Sequence, residues 1–141
     1  MTLIYMFSEA ELDYLATQGL GRLATAQPDG TLQVSPVGYA YNTETKTIDI
    51  TGYELAKSKK FRNVAANGQA AFVVDDMPSQ DPPRIRCLEI RGRAEALTGV
   101  RTPDGHLDGA VIRIHPSRII SLGVDDPDHD PLDLVPHNRN V

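Results

Sequence analysis

The chain has 141 residues, of which 40% are hydrophobic and 23% charged, with a formal net charge of −5 at pH 7 and a single cysteine, Cys87. This composition predicts one soluble domain in a reducing compartment, the cytoplasm, because a lone cysteine cannot form an internal disulfide. It excludes a membrane-spanning chain, since no apolar run is long enough, and a general nucleic-acid binder, since the acidic balance leaves no broad basic face.

The first predicted element is a helix in the segment FSEAELDYLATQG. Ser8 and Glu11 have the spacing of a capping box, in which each side chain bonds the backbone N–H of the other residue. Phe7 and Leu12 have the spacing of a hydrophobic staple around the same helix start. Gly19 is expected to end this helix.

Strand patterns dominate the rest of the chain. They occur at 20–26, 31–42, 47–53, 69–76, 85–97 and 110–124, the last of them broken at Pro116. A second helix is predicted from Leu55 to Ala66, closed by Asn67 and Gly68. The proline-rich residues 77–84 are predicted as an irregular loop. Helices inserted between strands with short links predict a mostly β fold of α+β character, a small antiparallel barrel.

The chain divides at residue 124. Residues 1–124 are predicted to form one domain, and residues 125–141 an acidic C-terminal tail that is free to lie over a partner chain, because its apolar content is too low for it to pack by itself. The four histidines show no metal-binding spacing with a third ligand nearby, so no metal site is predicted.

The segment YELAKSKKFRN contains Lys57, Lys59 and Lys60, three of the four lysines in the chain. Cations near a helix N-terminus oppose the helix dipole, whereas free backbone N–H groups beside ammonium groups, with the Ser58 hydroxyl between them, attract a phosphate. Solvated surface lysines are the alternative. The anion site is the preferred interpretation, because Lys57 is expected to share a helical face with the core residue Phe61.

Two neighbouring strands carry small or kinked residues where they should run side by side. These are Ser35, Pro36, Gly38, Thr51 and Gly52. Glycine in a strand indicates the close approach of a ligand or another backbone, and it is equally typical of a bulge or barrel corner. Both explanations remain open at this point.

The order of the segments GRLATAQPDGTLQVSPVGYAYN, TIDITGYELAKSKKFRNVAANGQAAFVVDD and LEIRGRAEAL after a helix resembles the pyridoxamine 5′-phosphate oxidase-like superfamily over residues 8–124. Within it, the chain is most similar to the actinobacterial flavin/deazaflavin oxidoreductases that depend on coenzyme F420. The resemblance implies a six-stranded antiparallel split β-barrel of the FMN-binding type with flanking helices. It also implies a homodimer whose cofactor, F420 or alternatively FMN, lies at the subunit interface.

The resemblance implies the site residues as well. The ring-binding strands correspond to Val34, Ser35, Pro36, Val37, Gly38, Ile50, Thr51 and Gly52, and the phosphate-binding segment to Lys57, Ser58, Lys59 and Lys60. Tyr39, Tyr41 and Tyr53 are expected to pack in the core or to contact the ring. No catalytic side chain is assigned, because the cofactor itself carries the hydride.

The implied activity is an F420-dependent reduction of a small unsaturated or quinonoid molecule. Pyridoxamine phosphate is not the expected substrate, because the C-terminal arginine and histidine motif that holds it in the vitamin B6 oxidase has no counterpart here. Two alternatives remain: an FMN-dependent oxidoreductase of the same fold, and a non-catalytic protein that binds or carries the cofactor.

Overall fold

The structure, a computed structural model, describes residues 6–101 and 107–141. The helices are α1 (Glu9–Thr17) and α2 (Lys59–Asn67), and a 3-10 turn (Leu55–Lys57) precedes α2. The strands are β1 (Gly21–Ala26), β2 (Leu32–Asn42), β3 (Thr47–Thr51), β4 (Gln69–Gln80), β5 (Pro83–Leu97), β6 (Val111–Leu122) and β7 (His137–Asn140). Within these residues, neither helix has the length and apolar character needed to cross a membrane.

The strands form one antiparallel sheet that closes on itself. Their order is β3-β2-β1-β4-β5-β6-β7, and β3 also pairs with β6. Six strands therefore make a ring, and β7 is added to β6 outside it. The predicted six-stranded antiparallel barrel with flanking helices is confirmed, and β7 is an extra strand that was not predicted.

The core fills the ring with alternate residues of its strands, as the period of two along a strand requires. Its largest fully buried side chains are Leu23, Ile48, Ile50, Phe72, Val74, Leu88, Ile90, Ile112, Ile114 and Ile119. Helix α1 covers one opening of the ring, where Phe7 meets the Tyr41 ring edge-on at 5.5 Å between centroids.

The start of α1 has the predicted capping box. The Ser8 hydroxyl accepts a hydrogen bond from the Glu11 N–H at 3.1 Å, and the Glu11 carboxylate accepts one from the Ser8 N–H at 2.8 Å. The helix ends at Thr17 and Gln18 is its cap, in an extended conformation, so Gly19 lies at the predicted position directly after the cap. Gly19 does not have the positive φ that is common there.

The second predicted helix is divided at Ser58. This residue has extended backbone angles, and its hydroxyl caps α2, so the preceding residues form a separate 3-10 turn instead of the first turn of one helix. The predicted end is confirmed: Asn67 is the last helical residue and Gly68 follows with φ +69°, a conformation in which glycine has no steric penalty.

The predicted irregular loop at 77–84 is wrong, since β4 and β5 continue through it as a hairpin with a register shift between Asp76 and Ser79. Its prolines lie at the bulge and at the hairpin end, where fewer ladder hydrogen bonds are needed. Strand β6 also runs unbroken through Pro116, and the ladder shifts beside Gly92. A Cβ on Gly92 would lie 1.9 Å from the carbonyl oxygen of His115, so this bulge requires glycine.

The end of the chain packs on its own barrel. The Arg139 guanidinium in β7 donates to both carboxylate oxygens of the buried Glu11, at 2.5 and 2.9 Å, and to the Met6 carbonyl at 2.7 Å. Polar contacts and the pairing with β6 hold the end of the chain on the barrel. The low apolar content of the segment had predicted a tail that does not pack by itself. The division of the chain at residue 124 stays a prediction.

Candidate cofactor-binding site

The start of α2 is built around Ser58. Its hydroxyl donates to the Leu55 carbonyl at 2.6 Å and accepts from the Phe61 N–H at 3.3 Å, which fixes the 3-10 turn and the helix relative to each other. Lys59 and Lys60 are the first two helical residues, and the first turn has no acidic residue. The site therefore combines two ammonium groups with backbone N–H groups that have no partner inside the helix.

Lys57 is placed differently from the prediction. Because it belongs to the 3-10 turn, it does not share a helical face with Phe61, and its side chain is 79% exposed. Its ammonium nitrogen lies 3.3 Å from the Glu54 carboxylate. Asp108 lies beside the same turn, because its carboxylate accepts a hydrogen bond from the Ala56 N–H at 3.0 Å. This bond and one from the Ala110 N–H lower the pKa of Asp108, and the charge of Lys57 lowers it further.

Lys59 and Lys60, the two lysines of α2, have fewer acidic groups close to them than Lys57 has. Among the residues that the structure describes, neither Lys59 nor Lys60 forms an ion pair within 4.0 Å. The pKa of Asp29 is lowered mainly by its hydrogen bonds with Thr31, and Lys59 adds a smaller electrostatic contribution. These two side chains therefore offer positive charge to a ligand at the start of α2.

The predicted ring-binding residues of β2 alternate between two sides of the strand. Val34, Pro36 and Gly38 are exposed on the outside of the barrel, whereas Val37 is buried and the Ser35 hydroxyl is shielded from solvent. A ligand on the outer surface can therefore touch only every second side chain of this stretch, together with its backbone.

The predicted residues of β3 lie directly beside them. Thr51 pairs with Gly38 in the β2–β3 ladder, and both Thr51 and Gly52 are half-buried. Ile50 is fully buried in the core, so its side chain cannot contact a ligand outside the barrel. The structure thus brings Gly38, Thr51 and Gly52 together and leads the chain from them through one short segment to Ser58.

Gly38 and Gly52 face open space. Neither has a positive φ, and a Cβ added to either would meet nothing within 4 Å. The β2–β3 ladder has no register shift, so the bulge explanation does not apply to Gly38. No packing contact among the described residues requires glycine at these positions, which favours the close approach of something outside the chain.

An exposed apolar surface lies next to these residues and was not predicted from the sequence. Leu32 and Val34 on β2 are 81% and 69% exposed. They pair with Ala26 and Ala24 of β1, and Ala24 in turn pairs with Ala71 of β4. We call this surface, formed by these five residues, the outer apolar face. The alternation of Leu32, Val34 and Pro36 on β2 was its only signal in the sequence.

A cleft between α1 and β2 was also not predicted. It has a volume of about 450 Å³, and we call it the α1–β2 cleft. Its lining residues are Leu12, Leu15, Ala16, Gln18, Tyr39, Ala40, Tyr41 and Thr43. The signals that could have identified it are the i, i+4 pair of Leu12 and Ala16 on one helix face and the small Ala40 between two aromatic residues.

The three tyrosines fall into two groups. Tyr39 and Tyr41 are partly buried and pack against the core. The Tyr39 hydroxyl lies 2.7 Å from the Leu15 carbonyl and 2.9 Å from that of Gln18, and burial raises the pKa of Tyr39 to about 12. Tyr53 is 78% exposed and is not part of the core.

Comparison with known proteins identifies relatives of the same architecture. The family model described as pyridoxamine 5′-phosphate oxidase matches residues 7–122. The chain is 46% identical over 120 residues to the 5a,11a-dehydrotetracycline/5a,11a-dehydrooxytetracycline reductase of Streptomyces rimosus subsp. rimosus, and the match covers 84% of each protein.

Two solved structures are also similar. An F420 reductase has a TM-score of 0.58 and 28% sequence identity, with 76% of this chain and 93% of that chain covered. A conserved hypothetical protein from Mycobacterium tuberculosis has a TM-score of 0.64 and 25% identity, with 81% of this chain and 83% of that chain covered.

The closed antiparallel ring and these relatives define an enzyme of the oxidoreductase class built on the split β-barrel. The chain belongs to the pyridoxamine 5′-phosphate oxidase family. The family resemblance, the fold and the oxidoreductase class that were expected from the sequence are thereby confirmed, whereas the individual cofactor-binding residues stay predictions.

Proposed function

We propose that this protein reduces an unsaturated or quinonoid acceptor with coenzyme F420, held at the start of α2. The observation that carries the proposal is the arrangement of Ser58, Lys59 and Lys60, in which two lysines without ion pairs among the described residues stand at a capped helix N-terminus. Such a helix start attracts a phosphate group. The anionic chain of F420 is longer than the single phosphate of FMN and gives both lysines a partner.

The residues present fit a ring cofactor. Gly38 and Gly52 leave open space beside the β2–β3 ladder, and Thr51 lies between them. In our proposal the ring lies over the backbone of these residues, and its phosphate lies beside Ser58 and binds the N–H groups and side chains of Lys59 and Lys60, with Lys57 at the edge. The N–H and hydroxyl of Ser58 both donate to the Leu55 carbonyl, so Ser58 shapes this helix start and does not donate to the phosphate. Val34 and Pro36 border the ring, while Ser35, Val37 and Ile50 act through the backbone.

The relatives support the proposed acceptor class. A protein that is 46% identical is named as a reductase of 5a,11a-dehydrotetracycline, and a structural neighbour is named as an F420 reductase. When bound, a reduced deazaflavin supplies the hydride and the proton that saturate one C=C bond of the acceptor. The protein then has to bind, orient and shield the two reactants.

The outer apolar face supports a homodimer. Leu32 and Val34 are large exposed apolar residues surrounded by small ones, and contiguous apolar surface of this kind is typical of an interface. We propose that a second copy of the chain covers it and completes the cofactor site beside β2 and β3. We place this dimer in the cytoplasm, the reducing compartment that the single Cys87 suits.

FMN is the second candidate, and the position of Lys57 favours it. Because Lys57 pairs with Glu54, two lysines without an ion pair among the described residues are left for the ligand instead of three. Two cations and a capped helix start match a single terminal phosphate, which is the anionic group of FMN. The two cofactors therefore need a direct comparison.

The test is a turnover assay with the purified protein. Reduced F420 is mixed with 5a,11a-dehydrotetracycline or a simple quinone, and its reoxidation is followed by absorbance, with previously reduced FMN in a parallel reaction. We expect reoxidation of F420 that depends on both protein and acceptor. If reduced FMN but not reduced F420 is reoxidised in a reaction that depends on both protein and acceptor, the second candidate is established. If either cofactor binds and no acceptor is turned over, the protein is a carrier.

A further inference from the structure

We propose that the α1–β2 cleft is the binding site of the acceptor and that it accepts a planar molecule of several fused rings. This inference rests on the proposed reductase function and adds the place and the shape of the second substrate. It starts from the volume of the cleft, about 450 Å³, which lies within the range of about 300–1,000 Å³ that is typical of small-molecule sites.

The lining of the cleft suits a flat apolar body with polar substituents. Leu12 and Ala16 from α1 and Ala40 from β2 line the cleft, and two of these three side chains are small, which leaves room for a ligand between helix and strand. Polar groups are few, namely the Gln18 amide, the Thr43 hydroxyl and the hydroxyls of the two tyrosines. Few convergent polar groups in an apolar cleft fix the orientation of a ligand without a large desolvation cost.

The cleft adjoins the proposed cofactor position along a single strand. Ala40 lines the cleft, and Gly38, which faces open space, lies two residues earlier on β2. Residues two apart on a strand point to the same side and are separated by about 7 Å. A planar acceptor in the cleft therefore lies next to the position proposed for the ring.

Tyr41 adds an available hydrogen-bond donor to the cleft, besides the Gln18 amide and the Thr43 hydroxyl. The Tyr39 hydroxyl is engaged with the carbonyls of Leu15 and Gln18. Among the described residues, by contrast, the Tyr41 hydroxyl donates no hydrogen bond to the protein, although its ring is held against Phe7. We assign Tyr41 the role of donating to a carbonyl oxygen of the acceptor, which favours hydride addition to the conjugated C=C bond.

The experiment uses the absence of tryptophan from the chain. Leu12→Trp places the single tryptophan of the chain at the cleft, and Leu132→Trp places one on a residue that is 92% exposed and not part of the cleft lining. Both variants are titrated with 5a,11a-dehydrotetracycline in the presence of oxidised F420. We expect saturable quenching of the tryptophan fluorescence at position 12. At position 132 we expect only the gradual, non-saturating loss of fluorescence that absorption of light by the ligand causes.

Two further variants test the contacts. Ala16→Phe fills the cleft and is expected to lower kcat/KM for the polycyclic acceptor about tenfold relative to a single-ring quinone. Tyr41→Phe is expected to lower kcat with little change in the quenching titration. Equal signals at positions 12 and 132, together with unchanged selectivity of Ala16→Phe in an active enzyme, would overturn this inference and leave the proposed function intact. A wild-type protein that binds no F420 would overturn both.

Discussion

Ser58 combines two roles that separate substitutions can distinguish. Its hydroxyl caps α2 through the Phe61 N–H, and the residue is also predicted to stand beside the bound phosphate, between Lys57 and Lys59. A cap needs only a side-chain acceptor, so a carboxylate can replace it and also interacts favourably with the helix dipole. A phosphate, in contrast, is repelled by that carboxylate.

We therefore predict opposite effects for two variants. Ser58→Ala should lower the free energy of unfolding by about 1 kcal/mol, the usual cost of a lost cap, as measured by urea denaturation without cofactor. Ser58→Asp should keep the stability close to that of the wild type and lose cofactor binding. A Ser58→Asp protein that binds F420 with wild-type affinity would show that no phosphate lies at this residue.

Single residues also show where sequence reasoning reached its limit. The basic cluster was visible because lysine is rare in this chain, and its capping serine lay within it. The surroundings of Lys57 were not visible, since Asp108 comes from a distant loop and the 3-10 turn depends on the Ser58 hydroxyl bond to Leu55. Local spacing predicts a continuous helix there because it contains no information on that bond.

At the scale of elements, β7 is joined to α1 by one buried ion pair. Glu11 belongs to the capping box and is 1% exposed, and Arg139 is its cationic partner. Burial alone would raise the pKa of Glu11, but hydrogen bonds from Arg139 and Ser8 outweigh it and hold the pKa below its ordinary value of 4.5. The stability gained from this pair is thus fully present above pH 4.5 and is lost as the pH falls through the lowered pKa.

Arg139→Ala should lower the free energy of unfolding by about 3 kcal/mol at neutral pH, because it leaves a buried carboxylate without its cationic partner. The difference from the wild type should shrink on acidification, as Glu11 becomes protonated in both proteins. Urea denaturation at several pH values measures both effects. The double variant with Glu11→Gln, which keeps the capping box, should be more stable than Arg139→Ala alone, and a double variant of equal or lower stability would contradict this account.

The elements that were predicted correctly are those with a strong local signal. The capping box of Ser8 and Glu11 and the Gly68 stop are examples, and both lie at helix ends. The strand ends near Pro78 and Pro83 were missed, because proline was taken to end a strand when the hairpin bulge accommodates it. Strand β7 was missed because it consists of four polar residues without a local strand pattern, and because its pairing with β6 is a long-range contact.

At the scale of the whole molecule, the order of helices and strands was enough to identify the closed ring. The outer apolar face and the α1–β2 cleft were not predicted, because each is assembled from residues of two or three elements and its local signals are weak. Their existence depends on the register of β2 against β1 and on the packing of α1, for example on Val34 facing Ala24.

The dimer is tested by placing a charge on the outer apolar face. Val34→Glu should shift the protein from dimer to monomer in sedimentation-velocity experiments and weaken cofactor binding, because a buried unpaired carboxylate is costly at an interface. Leu132→Glu is the matched control, since Leu132 is 92% exposed and is not part of this face. If the Val34→Glu and Leu132→Glu proteins sediment identically to the wild type, the outer apolar face is not the interface.

The central claim, that the lysines at the start of α2 hold a phosphorylated redox cofactor, is tested most directly by fluorescence titration with F420 and with FMN. Lys46, on the β2–β3 turn, is the only lysine outside the cluster and provides the control. Lys59→Ala and Lys60→Ala should each weaken binding of the preferred cofactor by about 1–3 kcal/mol, whereas Lys46→Ala should bind like the wild type. Equal affinities for all four proteins would contradict the claim.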